Sequence, residues 1–462
     1  MQFLSLSEQL TRISQCLLIQ IPDFDWDSQT QGLILASFFY GYIFTQIPGG
    51  YFATKYGGKR IFLFGITTTA VLTLLTPALA KTHTSLLIGV RVISGLSEGV
   101  SYPSIHAIWS RWAPPLEQSR ITAFAFSGNF YYSLQSTTFF SLLFILFSNC
   151  ITGMYMGTVI AMPLAGILAQ YVSWEAIFYV FGKPQNIESW LESVAFFNYI
   201  YLIVGLLALF WCLLWWIMVE DSPDQDRKIT DQELEYLQNT IGLTERQMSD
   251  APPPWRAMLT SRPVWAIIIA HFTENWGFYT LLTCLPMFLR DVLGYSLDTA
   301  GFLASFPYIL MAMVVQVSGY LADTIRADGK LSTTHIRKLF TCGAYLGQAF
   351  FMTLTALIMT RGTSITFLSL ALGLGGLTWA GFGVNHLDVA PRYAAILMGI
   401  SNTVGTIPGI IVPSLTGSIV VERTPEEWRT VFLITAGVYT IGALLYGILA
   451  SGEKQVRCQT SV

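Results

Sequence analysis

Charged residues are scarce in this chain: Asp, Glu, Lys and Arg make up only 11% of its 462 residues, against about 25% in an ordinary soluble domain. So small a share points away from water as the only solvent. No basic block occurs and the net charge is only −3, so nothing marks a nucleic-acid partner. The six cysteines are scattered, with no Cys-x-x-Cys pair, which supports neither a disulfide framework nor a zinc site. Cys212, Cys284 and Cys342 lie in or beside apolar segments, where cysteine acts as a small hydrophobe. A nucleotide loop, a metal-ligand cluster and a nucleophile elbow are all missing, so an enzyme is not expected and no cofactor or metal is called for. The first 31 residues are too polar for a span and lack the basic start, apolar run and cleavage site of a secretory signal. Their first twenty read either as an interfacial helix or as an unstructured end.

Apolar residues fill the space that charge leaves: 53% of the chain is hydrophobic and its mean hydropathy is +0.53. A helix needs about 20 apolar residues to cross a bilayer. The pattern predicts spans near 33–53, 61–80, 86–108, 156–172, 195–219, 263–289, 300–322, 338–360, 364–384, 394–420 and 429–450. The chain therefore reads as an all-α polytopic membrane protein. Residues 220–262 are charged and broken by prolines, with one amphipathic helix candidate around 230–241. This divides the chain into a polar segment 1–31, a membrane half 32–219, a central loop 220–262, a second membrane half 263–450 and a tail 451–462. Lys55, Lys59, Arg60, Arg111, Arg120, Arg326, Lys330, Arg337, Lys338 and Arg392 fall in alternate connections. The positive-inside bias then puts the central loop and the tail in the cytosol.

The halves repeat. "MGTVIAMPLAGIL" (156–168) returns as "VGTIPGIIVPSLTG" (404–417), and "SWEAIFYVFG" (173–182) as "EEWRTVFLITAG" (426–437). "HAIWSRWAPP" (106–115) matches "HLDVAPRY" (386–393) more loosely. Parallel repeats of this size mark transporters whose halves rock about a central site. "GGYFATKYGGKR" (49–60) and "GYLADTIR" (319–326) occupy matching places. They resemble the Gly-x-x-x-Asp-Arg-x-Gly-Arg-Arg loop of the major facilitator superfamily, through Gly50, Lys55, Gly58, Lys59 and Arg60 in the first and Asp323 and Arg326 in the second. Thr54 stands where that motif has Asp. Closer still, "SFFYGYIFTQIPGGY" (37–51), "GVSYPSIHAIWSRWAPPLEQSR" (99–120), "HFTENWGFYTLLTCLPMFL" (271–289), "NHLDVAPRYAAILMGISNTVGTIPG" (385–409) and "ASGEKQ" (450–455) resemble solute carrier family 17. That branch holds sialin and the vesicular glutamate and sodium/phosphate transporters. The resemblance implies a major facilitator fold of two pseudo-symmetric six-helix halves.

Within this frame the intramembrane charges gain meaning, because ionisable groups at that depth are costly and face a bundle interior, a pathway or a partner. Arg91 and Glu98, seven apart, share a helix face about 10 Å apart along the axis. Gly95 and Gly99 on the same helix admit a neighbouring backbone. The pair reads as a structural lock between helices, or as an anion-attracting Arg91 with a proton-exchanging Glu98; the family resemblance implies the second. His106 reads as a structural group near a helix end or as a sensor of acid, since imidazole titrates at about 6.5. His271 and Glu274, three apart and followed by Asn275, are helix neighbours, expected at a central cavity. The resemblance adds that sialin-like members keep a histidine at His271, while glutamate carriers place arginine at Glu274. His386 and Asp388 are expected in helix-end ion pairing beside Arg392. Among many aromatics, Tyr42 and Tyr279 are nominated as cavity lining, although packing explains most such residues.

By resemblance the chain begins after the family's first span, which contributes a basic residue to the anion site, and carries insertions at about 129–155 and 183–200. The first insertion is not expected to add a crossing, because every later span would then turn against its basic flanks. The missing first span and the insertions inside motifs lead us to expect a variant transcript or a faulty gene prediction. The leading expectation is a secondary active carrier of organic anions (sialic acid, acidic sugars or acidic amino acids), proton-coupled and working by alternating access. Arg91, His271, Tyr42, Tyr279 and Asn275 would contact substrate, while Glu98, His106 and Glu274 would handle protons. A sodium-coupled phosphate or organic anion carrier, and a receptor-like membrane protein, stand as alternatives. A monomer in a lysosomal, vesicular or plasma membrane is expected, with lipid, a small anion and protons as its only partners.

Overall fold

A chain this apolar has one economical way to satisfy its backbone in lipid, which is to close every N–H and C=O within helices. The computed structural model describes residues 28–80, 82–127, 206, 208–226, 228–241 and 253–455, and every regular element among them is helical. Helices α1 (Ser28–Tyr56), α2 (Gly58–Ala80), α3 (Thr84–Glu98), α4 (Ser101–Trp112) and α5 (Gln118–Ser127) come first. α6 (Ala208–Met218) follows. α7 (Asp231–Ile241) and α8 (Trp255–Leu259) occupy the central polar region. α9 (Arg262–Asp291), α10 (Leu297–Ala327), α11 (Thr333–Leu357), α12 (Arg361–Gly375), α13 (Phe382–Val389), α14 (Ala394–Ile419) and α15 (Pro425–Leu449) complete the order. Six helical stretches among the described residues are long and apolar enough to cross a membrane. The span placed at 156–172, the insertions at 129–155 and 183–200, the first copies of the 404–417 and 426–437 repeats, and residues 1–27 lie outside the described residues.

Two predicted spans are each broken in the middle. The run 86–108 divides at Gly99–Val100 into α3 and α4. The run 364–384 ends as α12 at Gly375, passes through a 3-10 turn at Gly376–Trp379 and resumes as α13. Hydropathy cannot see such breaks, because the residues stay apolar while glycines let the backbone change course.

Packing joins these helices through small residues. α1 runs against α3 on one side and α14 on the other, while α5 packs against α10. These two seams, α1–α14 and α5–α10, link the amino-terminal helices to the carboxyl-terminal ones. α9 rests on α14 and α15, and α11 on α12 and α15. Basic residues collect at one end of the bundle. There Lys59 pairs with Glu220 at 2.9 Å, Arg326 with Asp388 at 3.4 Å and Arg337 with Asp388 at 2.7 Å. α7 joins the same end through Tyr236, whose hydroxyl donates to Glu117 at 3.1 Å.

Candidate functional site

α1 and α3 approach so closely that a Cβ on Gly95 would stand 2.0 Å from the Phe38 carbonyl oxygen, and one on Gly41 2.0 Å from that of Val92. Gly99 meets Thr45 and Tyr42 in the same way. The glycines on α3 therefore do what their spacing predicts. They also leave Arg91 and Glu98 buried on that helix, at 4% and 3% exposure. The Arg91 guanidinium lies 6.0 Å from the centre of the Phe38 ring. Glu98 is the last residue of α3, at the break that begins α4.

Across the α1–α14 seam, glycine again sets the distance. A Cβ on Gly399 would come within 2.4 Å of the Gln46 carbonyl oxygen, and one on Gly50 within 2.5 Å of that of Ala395. One turn beyond the Gly399 contact, Asn402 donates to the Tyr42 hydroxyl at 3.1 Å and to Gln46 Oε1 at 3.0 Å. Tyr42 is thus held across the seam, its ring stacked on Phe38. Asn275 of α9 donates to the Gly405 carbonyl of α14 at 2.7 Å. Tyr279, one turn further, meets Phe39 edge to face at 6.1 Å and borders Gly409.

The histidines converge. His271 Nδ1 lies 3.1 Å from Ser401 Oγ, and His386 Nε2 lies 2.9 Å from the same oxygen. A hydroxyl has one proton to give and two lone pairs, so Ser401 can donate to one imidazole and accept from the other. His386 then meets His106 edge to face, with ring centres 5.2 Å apart. His106 Nδ1 sits 3.1 Å from the Tyr102 carbonyl, and its buried Nε2 has no hydrogen-bond partner. All three rings are almost wholly buried. The loose sequence match between the segments of His106 and His386 now has a spatial counterpart, since the two rings touch between α4 and α13.

Three expectations need correction. Glu274 does not share a pocket with His271: position 271 faces α14, whereas Glu274 turns to α11, where Gln348 Nε2 donates to its Oε2 at 3.3 Å. Residues three apart are neighbours along a helix but sit about 60° apart around it, enough here to reach different partners. His386 takes no part in ion pairing, because Ser401 and His106 occupy its ring. Arg392, in turn, lies over the Tyr393 ring at 5.1 Å rather than against Asp388. The carboxylate of Asp388 is held by Arg337, 2.7 and 3.3 Å away, and by Arg326.

The two loop motifs differ in what they clasp. Gly57 ends α1 with φ +95°, and the Lys59 N–H donates to Asp221 at 2.7 Å. A Cβ on Gly58 would lie 2.3 Å from the Ser104 carbonyl oxygen. Lys55 and Arg60 stay exposed. In the second motif Asp323 accepts from the N–H groups of Ser119 and Arg120 at 3.2 and 2.7 Å, capping α5 across the second seam. Arg326 donates to the Pro115 carbonyl, and Arg337 to Ser119 Oγ at 2.9 Å. Thr54, in the first motif, only turns its hydroxyl back to the Gly50 carbonyl at 2.8 Å.

Gln46, Ser401, Asn402 and Gln348 were not singled out from the sequence. Uncharged polar residues in a greasy helix give a weak signal, and only the seams show which of them face one another.

Comparison with known proteins accords with this architecture. The sequence profile described as Major Facilitator Superfamily matches residues 14–182 and 187–413. Vesicular glutamate transporter 1 of Xenopus laevis is 40% identical over 442 residues, covering 95% of this chain and 68% of that protein. Vesicular glutamate transporter 2 of Homo sapiens is 40% identical over 435 residues, covering 94% and 66%. A crystal structure of the E. coli fucose:proton symporter FucP matches the fold with a TM-score of 0.57 at 13% identity, over 96% of this chain and 97% of that one. A multi-pass chain of membrane-spanning helices, with transporters rather than enzymes for relatives, belongs to the major facilitator superfamily, in the branch of solute carrier family 17.

Proposed function

We propose that this chain is a secondary active carrier of a small organic anion, coupled to protons and working by alternating access. The observation that carries the reading is the set of buried ionisable groups, Arg91, Glu98, His106, His271 and His386, gathered on helices along the α1–α14 seam. A charge at the centre of a bilayer costs about 2.5–3.5 kcal/mol even on the mildest scale, so a chain with so few charges keeps them there for a use. Arg91 attracts the anion. Glu98, at the hinge between α3 and α4, exchanges the proton. His271 and Asn275 meet the substrate from α9, with Tyr42 and Tyr279 at its sides. The basic end faces the cytosol, as the positive-inside bias requires.

Sialic acid, an acidic sugar or an acidic amino acid fits such a site. The relatives named vesicular glutamate transporters support an anion cargo and a vesicle-type membrane, while a lysosomal membrane is carried by the sialin resemblance alone. Glu274 in place of the arginine that the resemblance assigns to glutamate carriers favours a sialic-acid-like cargo over glutamate.

The test is uptake of labelled sialic acid, glutamate and phosphate into proteoliposomes under an imposed pH gradient. Sialic acid should accumulate, the signal should vanish when the gradient is collapsed, and Glu98→Gln should lose the proton-driven part. Uptake that needs sodium and ignores the pH gradient would overturn proton coupling, and an unchanged Glu98→Gln variant would remove Glu98 from it.

A further inference from the structure

Glu274 lies outside the histidine seam, in a nest of its own inside the carboxyl-terminal helices. It is 2% exposed, and no Lys or Arg among the described residues pairs with it. Gln348 of α11 donates to its Oε2 at 3.3 Å. Its other oxygen, Oε1, is buried without a hydrogen bond, and so is Oε1 of Gln348. These two orphaned oxygens share one space, because a Cβ built on Gly375 would lie 2.6 Å from the first and 3.3 Å from the second. Thr378 approaches the carboxyl group from the turn after α12. The remaining titratable neighbours are phenols: Tyr345 on α11, whose hydroxyl donates to the Ala270 carbonyl at 2.6 Å, and Tyr439 on α15. His271, on the same helix, is turned to Ser401. Arg337 is eleven residues back along α11, about 16 Å by helical rise.

An ionised carboxylate offers only acceptors, whereas a carboxamide offers two donors and one oxygen. With Glu274 ionised, the amide nitrogen satisfies Oε2, and both Oε1 atoms are left as buried acceptors beside Gly375. Buried acceptors without donors are costly. A single proton on Glu274 Oε1 removes the conflict, since the new O–H donates to Gln348 Oε1 while Gln348 Nε2 keeps donating to Oε2. The result is a closed acid–amide pair with two reciprocal hydrogen bonds.

We propose that Glu274 and Gln348 form a proton-holding acid–amide pair, a second proton site in the carboxyl-terminal helices, separate from Glu98 and from the histidine seam. The proposal rests on the proton-coupled reading above but concerns a different carboxyl group. Protonation forms one O–H bond on Glu274 and releases nothing else, and loss of the proton returns the carboxylate. Gln348 is the positioning residue: it fixes which oxygen takes the proton. Gly375 leaves the space in which the pair closes.

Infrared difference spectra of the full chain in lipid, recorded between acid and alkaline pH, test this directly. A protonated-carboxyl C=O band that shifts in heavy water should appear. Glu274→Gln should remove it, Glu98→Gln should leave it in place, and Gln348→Leu should move its frequency without abolishing it. Should Glu274→Gln fail to fold, Gly375→Ala serves instead, since its methyl group intrudes on Oε1 and must shift the same band. A band that survives Glu274→Gln overturns the proposal, as does one that Gln348→Leu or Gly375→Ala leaves unmoved. Loss of the band on adding sodium at constant pH also overturns it, and marks a cation site instead. Because the band is read without transport, failure of proton-driven uptake with the band intact would refute only the coupling mechanism.

Discussion

Ser401 shows how much one small side chain can organise. Its oxygen is the one hydrogen-bonding link between His271 and His386 among the described residues, the two rings coming from different helices. Ser401→Ala leaves two buried imidazole nitrogens unpaired, at a cost of about 1–3 kcal/mol. The expected outcome is a lower melting temperature in detergent, followed by intrinsic fluorescence, together with a fall in transport turnover. A variant that melts with the wild type would mean that the imidazoles find other partners and that the link is incidental. Nothing in the sequence marks Ser401, because a serine among the apolar residues of α14 differs little from an alanine there. The ionisable residues of the candidate site stood out for the opposite reason: Arg91, Glu98 and the histidines are conspicuous in a chain with so few such groups.

At the scale of elements, the ends of the helices carry the ionic chemistry. Arg337 is fully buried and depends on Asp388, with Ser119 and the Ala380 carbonyl completing its hydrogen bonds. Asp388→Asn strands that guanidinium. Removing one partner from a buried pair typically costs about 3–5 kcal/mol. Arg326 is less buried than Arg337 and its contact with Asp388 is longer, at 3.4 Å, so Arg326→Gln should cost less. Thermal unfolding of the two variants checks the ranking; equal losses would show that Arg326 rather than Arg337 anchors Asp388. Helix positions were largely readable from hydropathy, since α9, α10, α11, α14 and α15 cover the spans expected of them. The breaks after Glu98 and Gly375 were not, nor was the turning of Glu274 away from His271. Periodicity says which residues share a stripe, but the placement of neighbouring helices decides what each stripe meets.

For the whole molecule, the two seams are built unlike each other although the repeat makes them equivalent. At α5–α10 a carboxylate caps the facing helix through Asp323, and Arg337 adds a bond to Ser119. At α1–α14 the corresponding position is Thr54, whose hydroxyl bonds back to Gly50 of its own helix and not across the seam, and closeness is supplied by Gly50 and Gly399 instead. Alternating access, as proposed above, then has to break charge-assisted hydrogen bonds at one seam, and at the other a glycine contact together with the neutral bonds of Asn402 to Tyr42 and Gln46. Charge-assisted hydrogen bonds are worth about 1.5–3 kcal/mol each, which makes α5–α10 the seam that resists opening at the basic end. Ser119 reports on this seam, being fully buried beneath Arg337. A Ser119→Cys chain whose own cysteines have been replaced should react slowly with a water-soluble maleimide applied from the basic side. Labelling should accelerate when transported anion and a pH gradient drive the cycle, and again when Asp323→Asn removes the cap. Labelling that is fast from the outset, or indifferent to both, would mean that the α5–α10 seam is not the gate and that the halves part elsewhere.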